Sequence, residues 1–150
     1  MNQDEYEALM SDTTKLIERD VVWNVDASHP AAFSFRTEIL SDANYPLFIK
    51  GYFNPNSRKL TFSLLHRAQG CIYRLDLGIE HPNQDGTRVG ETHKHRWLEG
   101  HGIKDAYVPM DITATVDDPV EVWEQFCAEA WLTHAGTMDT PPADQLDMML

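Results

Sequence analysis

Lys59-Leu60-Thr61-Phe62-Ser63-Leu64-Leu65-His66-Arg67-Ala68-Gln69-Gly70-Cys71-Ile72-Tyr73-Arg74-Leu75-Asp76-Leu77 is the stretch that decides the fold. Leu60, Phe62 and Leu64 alternate with Thr61 and Ser63, the pattern of a strand with one buried face. Gln69-Gly70 separates it from a second β-rich run, Cys71–Leu77. Two such runs joined by a short polar turn pair as antiparallel neighbours.

Upstream, Asn54-Pro55-Asn56-Ser57 is a turn that ends another candidate strand, Tyr45–Phe53. Before that, Phe33, Phe35, Thr37 and Ile39 alternate with Ser34, Arg36 and Glu38, and Ser41-Asp42-Ala43-Asn44 is the next turn. Val21, Val22, Trp23 and Val25 have β character until His29-Pro30 interrupts them. Downstream, His81-Pro82-Asn83-Gln84-Asp85-Gly86 is a polar loop, and Thr87–Trp97 reads as a returning strand with no clean apolar face. Gly100, Gly102 and Pro109 mark a covering loop.

Helical periodicity flanks this meander. Tyr6, Leu9, Met10, Thr13, Leu16 and Ile17 form one stripe, which predicts a helix over residues 3–19, with Lys15 and Arg19 near its negative end. Asp118, Pro119 and Glu121 are start signals for a second helix, residues 119–132, with Glu121 completing a capping box and Gly136 just beyond the end. Its apolar arc is Val120, Trp123, Phe126, Cys127, Ala130 and Trp131, with Glu121, Glu124, Gln125 and Glu129 elsewhere. The expected fold is therefore α+β: an antiparallel sheet meander over residues 21–97 with an N-terminal and a C-terminal helix packed against it. At 150 residues the chain is the size of one domain, 1–150, with residues 137–150 expected as a flexible tail.

Met1-Asn2-Gln3-Asp4-Glu5-Tyr6-Glu7 opens with no basic region before an apolar run, and no apolar stretch approaches membrane-spanning length. Cys71 and Cys127 are too few for a disulfide framework and read as thiols of a reducing compartment, so a cytoplasmic location is expected. The net charge is −12, unevenly placed. Residues 36–104 are mildly basic, whereas residues 105–150 contain ten acids and no Lys or Arg. Such a field repels phosphate backbones in general but leaves room for a local phosphate site in the basic middle.

Gly90-Glu91-Thr92-His93-Lys94-His95-Arg96-Trp97 is the densest candidate for chemistry. On a strand, His93 and His95 point to one face, where two imidazoles suit metal binding, anion binding or shared acid–base work. His81 precedes a turn that returns the chain toward them, and Arg74 and Asp76 share a face of the preceding strand. The candidate catalytic residues are His93, His95, His81, Arg74 and Asp76, and the candidate metal ligands are His81, His93 and His95. The cofactor such ligands suggest is zinc or another divalent ion, with Asp76, Glu91 or His101 filling out the coordination. A metal-free alternative uses one histidine as base and another as acid, with arginine stabilising negative charge. His66, Arg67 and Arg96 are further phosphate donors. No Walker loop, dinucleotide fingerprint, serine-hydrolase elbow, zinc finger or EF-hand pattern is present.

From Tyr45 to Trp131 the chain resembles an uncharacterised family of small bacterial and phage proteins. The resemblance rests on Leu64-Leu65-His66-Arg67, Arg74-Leu75-Asp76, His81-Pro82-Asn83, Asp85-Gly86, Gly90 with His93-Lys94-His95, and the later amphipathic helix. It implies that His81, His93, His95, Arg74 and Asp76 meet in one place and brings no activity with it.

Two functional expectations follow. The first is an acidic binding or inhibitory protein acting in bacterial–phage conflict, whose partner is a protein with a basic surface, such as a nucleic-acid-binding enzyme. The second is a histidine-dependent nuclease or related hydrolase built on the five residues above. A structural domain is the bland third. A homodimer is expected if Trp123 or Trp131 is exposed; helical periodicity more naturally buries both.

Overall fold

The computed structural model describes residues 1–78, 81–85, 88–90 and 92–142, with residues 81, 82, 88 and 89 described by their backbone alone. The elements run α1 (Gln3–Ser11), β1 (Leu16–Ile17), β2 (Asn24–Val25), β3 (Phe33–Ile39), β4 (Leu47–Asn54), β5 (Lys59–His66), β6 (Gly70–Leu77), β7 (His81–Pro82), β8 (Arg88–Val89), β9 (His93–Arg96), β10 (Ala106–Tyr107), α2 (Pro119–Glu129) and β11 (Thr133–His134). Among the described residues the main sheet has seven strands in the order β10-β9-β6-β5-β4-β3-β2. Every pairing in it is antiparallel, so the expected meander is the backbone of the fold.

Cross-strand partners share a face of the sheet, so register alone sorts the side chains. Phe35, Gly51, Phe62, Leu75 and Lys94 stand in one row on the face under α2. Phe62 meets Trp123 and Phe126 at ring-centroid distances of 5.1 and 5.7 Å, and Phe35 meets Trp123 edge-on at 5.6 Å. Each such aromatic pair adds about 1 kcal/mol to the burial of its rings. Helix α1 closes one end of this layer: Tyr6 packs on Trp97 at 5.5 Å and donates its hydroxyl to Ile72 O at 3.1 Å.

The opposite face carries two polar rows. One is Ser34, Tyr52, Thr61, Asp76 and His93; the other is Arg36, Lys50, Ser63, Arg74 and His95. Strand alternation thus delivers the predicted Arg74, Asp76, His93 and His95 to one face, away from both helices.

Several local expectations give way to tertiary structure. The first helix ends at Ser11, not residue 19. Asp12 Oδ1 accepts from Thr14 N and Thr14 Oγ1, at 2.8 Å each, turning the chain, and Lys15 Nζ donates to Leu9 O and Met10 O at 2.9 and 2.6 Å. Leu16 and Ile17 stay buried or half-buried, but as a strand paired in parallel with Thr133–His134. The Val21–Val25 run supplies only Asn24–Val25 to the main sheet, because Val21 bridges to Met138 instead. That bridge docks the start of the expected tail: Val21 N donates to Thr137 O at 2.8 Å, and Met138 is buried; residues 143–150 lie outside the described residues.

The single strand expected over residues 87–97 is two pieces. Arg88–Val89 pairs with His81–Pro82 in a separate hairpin, and His93–Arg96 joins the main sheet beside β6. Helix α2 ends at Glu129 rather than residue 132. Trp131 takes a left-handed φ of 56° just after it, ending the helix before Gly136. Its ring is consequently exposed, while Trp123 is buried as expected. At the other end Asp118 Oδ1 accepts from Glu121 N, but Asp118 N donates to Thr115 O, so the reciprocal half of the capping box is replaced by a turn.

Candidate functional site

β6 and β9 build the site. Their register sets Asp76 opposite His93 and Arg74 opposite His95. The side chains converge: Asp76 Oδ2 lies 3.2 Å from His93 Nε2 and 3.4 Å from His95 Nε2. The two imidazole rings meet edge to face with centroids 5.1 Å apart. Arg74 Nε donates to both carboxylate oxygens, at 3.0 and 2.9 Å, and Thr61 Oγ1 donates to Oδ1 at 2.7 Å from β5. Asp76, His93 and His95 are buried, whereas 37% of the Arg74 side chain is exposed.

Backbone carbonyls fix the ring orientations. His93 Nδ1 lies 3.0 Å from Gly90 O, and His95 Nδ1 lies 2.8 Å from Ile103 O. A carbonyl only accepts, so each Nδ1 carries a proton. A neutral ring then presents a lone pair at Nε2, and both Nε2 atoms face the same carboxylate oxygen. That arrangement is favourable when a proton or a metal cation lies between the imidazoles and the carboxylate.

Burial alone would push the Asp76 carboxyl up; donation from His93 and His95 whenever a proton sits at Nε2, the Arg74 charge and the Thr61 hydroxyl outweigh it and hold the group well below the usual carboxylate range. Asp76 is therefore an anion in the fold. Ligand atoms about 2.1 Å from a common ion stand roughly 3.0 Å apart at octahedral angles and roughly 3.4 Å apart at tetrahedral ones. The observed 3.2 and 3.4 Å separations match those edges. One ligand atom from each of Asp76, His93 and His95 falls within 4.8 Å of the others, so the cluster has the donors and spacing to coordinate a divalent metal. Each of the three side chains is itself held: Arg74 and Thr61 hold the carboxylate, and the carbonyls of residues 90 and 103 hold the rings.

The covering loop and the β7–β8 hairpin are tied to each other beside this cluster. Asn83 Nδ2 donates to Ala106 O at 2.9 Å, Ala106 N donates to Asn83 Oδ1 at 2.8 Å, and Gln84 N donates to Asp105 Oδ1 at 3.1 Å. Ala106 is itself the residue opposite His95 in the sheet. The side chain of His81, and all of Glu91, lie outside the described residues.

The structure thus brings together Arg74, Asp76, His93 and His95. It adds Thr61, which sequence alternation marked only as polar. The signal was available, since a tight hairpin between β5 and β6 sets Thr61 opposite Asp76. Lys94, between the two histidines, points to the helix side and is buried in ion pairs with Asp111 at 2.8 Å and Glu129 at 2.7 Å. His66 is taken up in its turn, where Nδ1 accepts from Ala68 N and Gln69 N. Cys71 and Cys127 are free thiols, and burial pushes the Cys127 thiol up, which makes it a poor nucleophile.

The chain belongs to a protein family of unknown function, DUF6978, whose model matches residues 1–131. No curated protein and no solved structure matches it. The matched span includes both helices and every site residue named above. Among the described residues, no helix is long and apolar enough to cross a membrane.

Proposed function

We propose that this protein is a metal-dependent phosphodiester hydrolase of the nuclease type, with Asp76, His93 and His95 as metal ligands and Arg74 as the phosphate-binding residue. The observation that carries this reading is the convergence of two imidazole Nε2 atoms on one carboxylate oxygen, Asp76 Oδ2, at 3.2 and 3.4 Å. Two histidines and a carboxylate are a recurrent donor set for catalytic zinc and related ions. A divalent ion bound there supplies Lewis-acid polarisation and a more acidic water. The chain's own residues do the rest. Thr61 and Arg74 hold the carboxylate, and the Gly90 and Ile103 carbonyls keep both rings in the Nδ1–H tautomer. Arg74, the substantially exposed member, offers its remaining amino groups to a phosphate oxygen. His81 is proposed as the further ligand, because Asn83, two residues on, grips the residue opposite His95.

Metal content and cleavage test this together. The protein is loaded with zinc or manganese, dialysed and analysed for metal, then assayed on single-stranded and duplex oligonucleotides with and without chelator. About one ion per chain is expected, lost in Asp76→Asn and His95→Ala, with cleavage dependent on it. Wild-type protein that neither retains an ion nor cleaves sinks the proposal; cleavage in chelator moves the chemistry to metal-free histidine acid–base catalysis.

A second reading, docking of a basic protein or of a second copy on the acidic C-terminal third, draws support from exposed Glu121 and Glu124 and from Trp131, 58% exposed. Glu129, expected on that surface, is turned inward to Lys94. Sedimentation of wild type and Trp131→Ser tests the self-association form, and matching monomer profiles remove it.

A further inference from the structure

Three basic residues of the middle of the chain, Arg36, Lys50 and Arg74, stand on the same sheet face as the site. In one cross-strand row stand Arg36, Lys50, Ser63, Arg74 and His95. Adjacent strands are about 4.8 Å apart, so Arg36 and Arg74, three strand spacings apart, stand roughly 14 Å from each other. Between them lies an open groove of about 500 Å³ whose lining includes Arg36, Lys50, Tyr52, Thr61 and Ser63. Thr61 is also the residue that donates to Asp76, so the groove and the site share a wall.

We infer that this groove holds the backbone of a single-stranded nucleic acid and leads it to Arg74. The inference rests on the hydrolase reading for its substrate class and deepens it. Charge is the first argument. The molecule carries −12 overall, yet among the described residues no carboxylate pairs with Lys50, and Arg36 makes only a loose 3.4 Å contact with Glu38, which Arg67 engages more closely at 2.8 Å. Asp26, also in the lining, keeps its negative charge while its Oδ1 accepts from the amides of Ser28 and His29, at 2.9 and 2.8 Å, and Arg36 with Lys50 outweigh it. A local reversal of sign on an acidic protein selects a polyanion that touches only this strip.

Strand number is the second argument. A duplex presents a broad phosphate surface that the acidic remainder of the molecule would repel, whereas a single strand follows one row of cations. Sheet faces that bind single strands combine such cations with rings on which bases stack. Half-buried Tyr52 lies in the groove and supplies such a ring.

The test is fluorescence anisotropy with a short labelled single-stranded RNA, the matching DNA and the duplex, in chelator so that nothing is cleaved. Wild type is expected to bind both single strands more tightly than the duplex. Arg36→Gln/Lys50→Gln should weaken single-strand binding roughly tenfold or more and flatten the log–log salt dependence by about 1.4, two phosphate contacts at about 0.7 each. Both residues lie on the surface, and an unchanged melting curve shows that the variant is folded. Unaltered affinity and salt slope in the folded variant overturn the groove, as does wild-type preference for duplex or absence of binding at low salt. Because metal is excluded, these outcomes are separate from those that decide the hydrolase reading.

Discussion

Lys94 Nζ lies 2.7 Å from Glu129 Oε2, tying the strand that carries both site histidines to the last turn of α2. Lys94 stands between His93 and His95 in sequence but points through the sheet to the other side. Tyr73 donates its hydroxyl to the same carboxylate, 2.6 Å from Oε2, and Asp111 lies 2.8 Å from Nζ. The cluster is thus backed by a buried polar network that fixes the position of β9.

Removing Lys94 leaves Glu129 without its cation, and removing Glu129 leaves Lys94 with half-exposed Asp111 as its remaining counter-ion. Lys94 is 2% exposed and Glu129 is 14% exposed, so solvent screens little of the loss. Glu129→Ala is expected to cost about 3 kcal/mol of unfolding free energy. Lys94→Met/Glu129→Leu should be less destabilised than the sum of its single changes, because neither charge is left behind. Urea unfolding of the four proteins measures both, and additive losses would show that the pair is not coupled.

Metal binding should be visible in stability as well as in composition. An ion held by Asp76, His93 and His95 in the folded state alone, supplied at about a hundred times its Kd, stabilises by roughly 2.7 kcal/mol. For a domain of this size that raises Tm by roughly 5–10 °C. Asp76→Asn should abolish the rise, since the neutral amide loses the anionic ligand. A thermal scan with zinc and with manganese checks this, and an equal rise in wild type and Asp76→Asn places the ion elsewhere.

Much of this arrangement was legible because period-two alternation is a direct consequence of strand geometry. Phe35, Phe62 and Leu75 announced one face, and Arg74, Asp76, His93 and His95 the other. The failures lie where a local pattern had two solutions. Leu16 and Ile17 continue a helical stripe, yet the Asp12–Thr14 turn and the pairing with Thr133–His134 make them a strand. Trp131 continues the arc of α2, yet it leaves the helix at a left-handed φ and faces solvent. Lys94 was unreadable because a lysine on a core-facing position makes sense only once Glu129 and Asp111, distant in sequence, are known to be there.

Gly51 is a position where shape alone sets the residue. It stands opposite Phe35 in the sheet, and the ring lies across it so closely that a methyl group there would overlap the aromatic carbons. Gly51→Ala is expected to destabilise by about 1–3 kcal/mol as Phe35 is forced against Trp23 and Trp123. Phe35→Leu in the same chain should recover part of the loss, whereas independent losses would mean that the ring has room to move. Near-ultraviolet circular dichroism, which reads the packing of these rings, would report the displacement.

Lys15 gives the fold a pH dependence of defined sign. Its side chain is fully buried, with Nζ capping the carbonyls of Leu9 and Met10 at the end of α1. Burial pushes its pKa down from the usual 10.5 to about 8, only partly opposed by the charge of Asp12. The unfolded chain therefore holds this proton at pH values where the folded chain has released it. Wherever the unfolded state binds more protons, stability rises with pH. The cost of burying the charged amine is thus fully present below about 8 and is relieved as the pH climbs toward 10.5. In Lys15→Met the titrating group is gone, so the stability difference between wild type and variant should shift by a few kcal/mol in favour of wild type across that window. Comparing the two proteins cancels the tyrosines and other groups that titrate in the same range. Denaturant midpoints collected from pH 7 to pH 10 provide the measurement, and a difference that stays constant across them would show that Lys15 releases its proton no earlier in the folded chain than in the unfolded one.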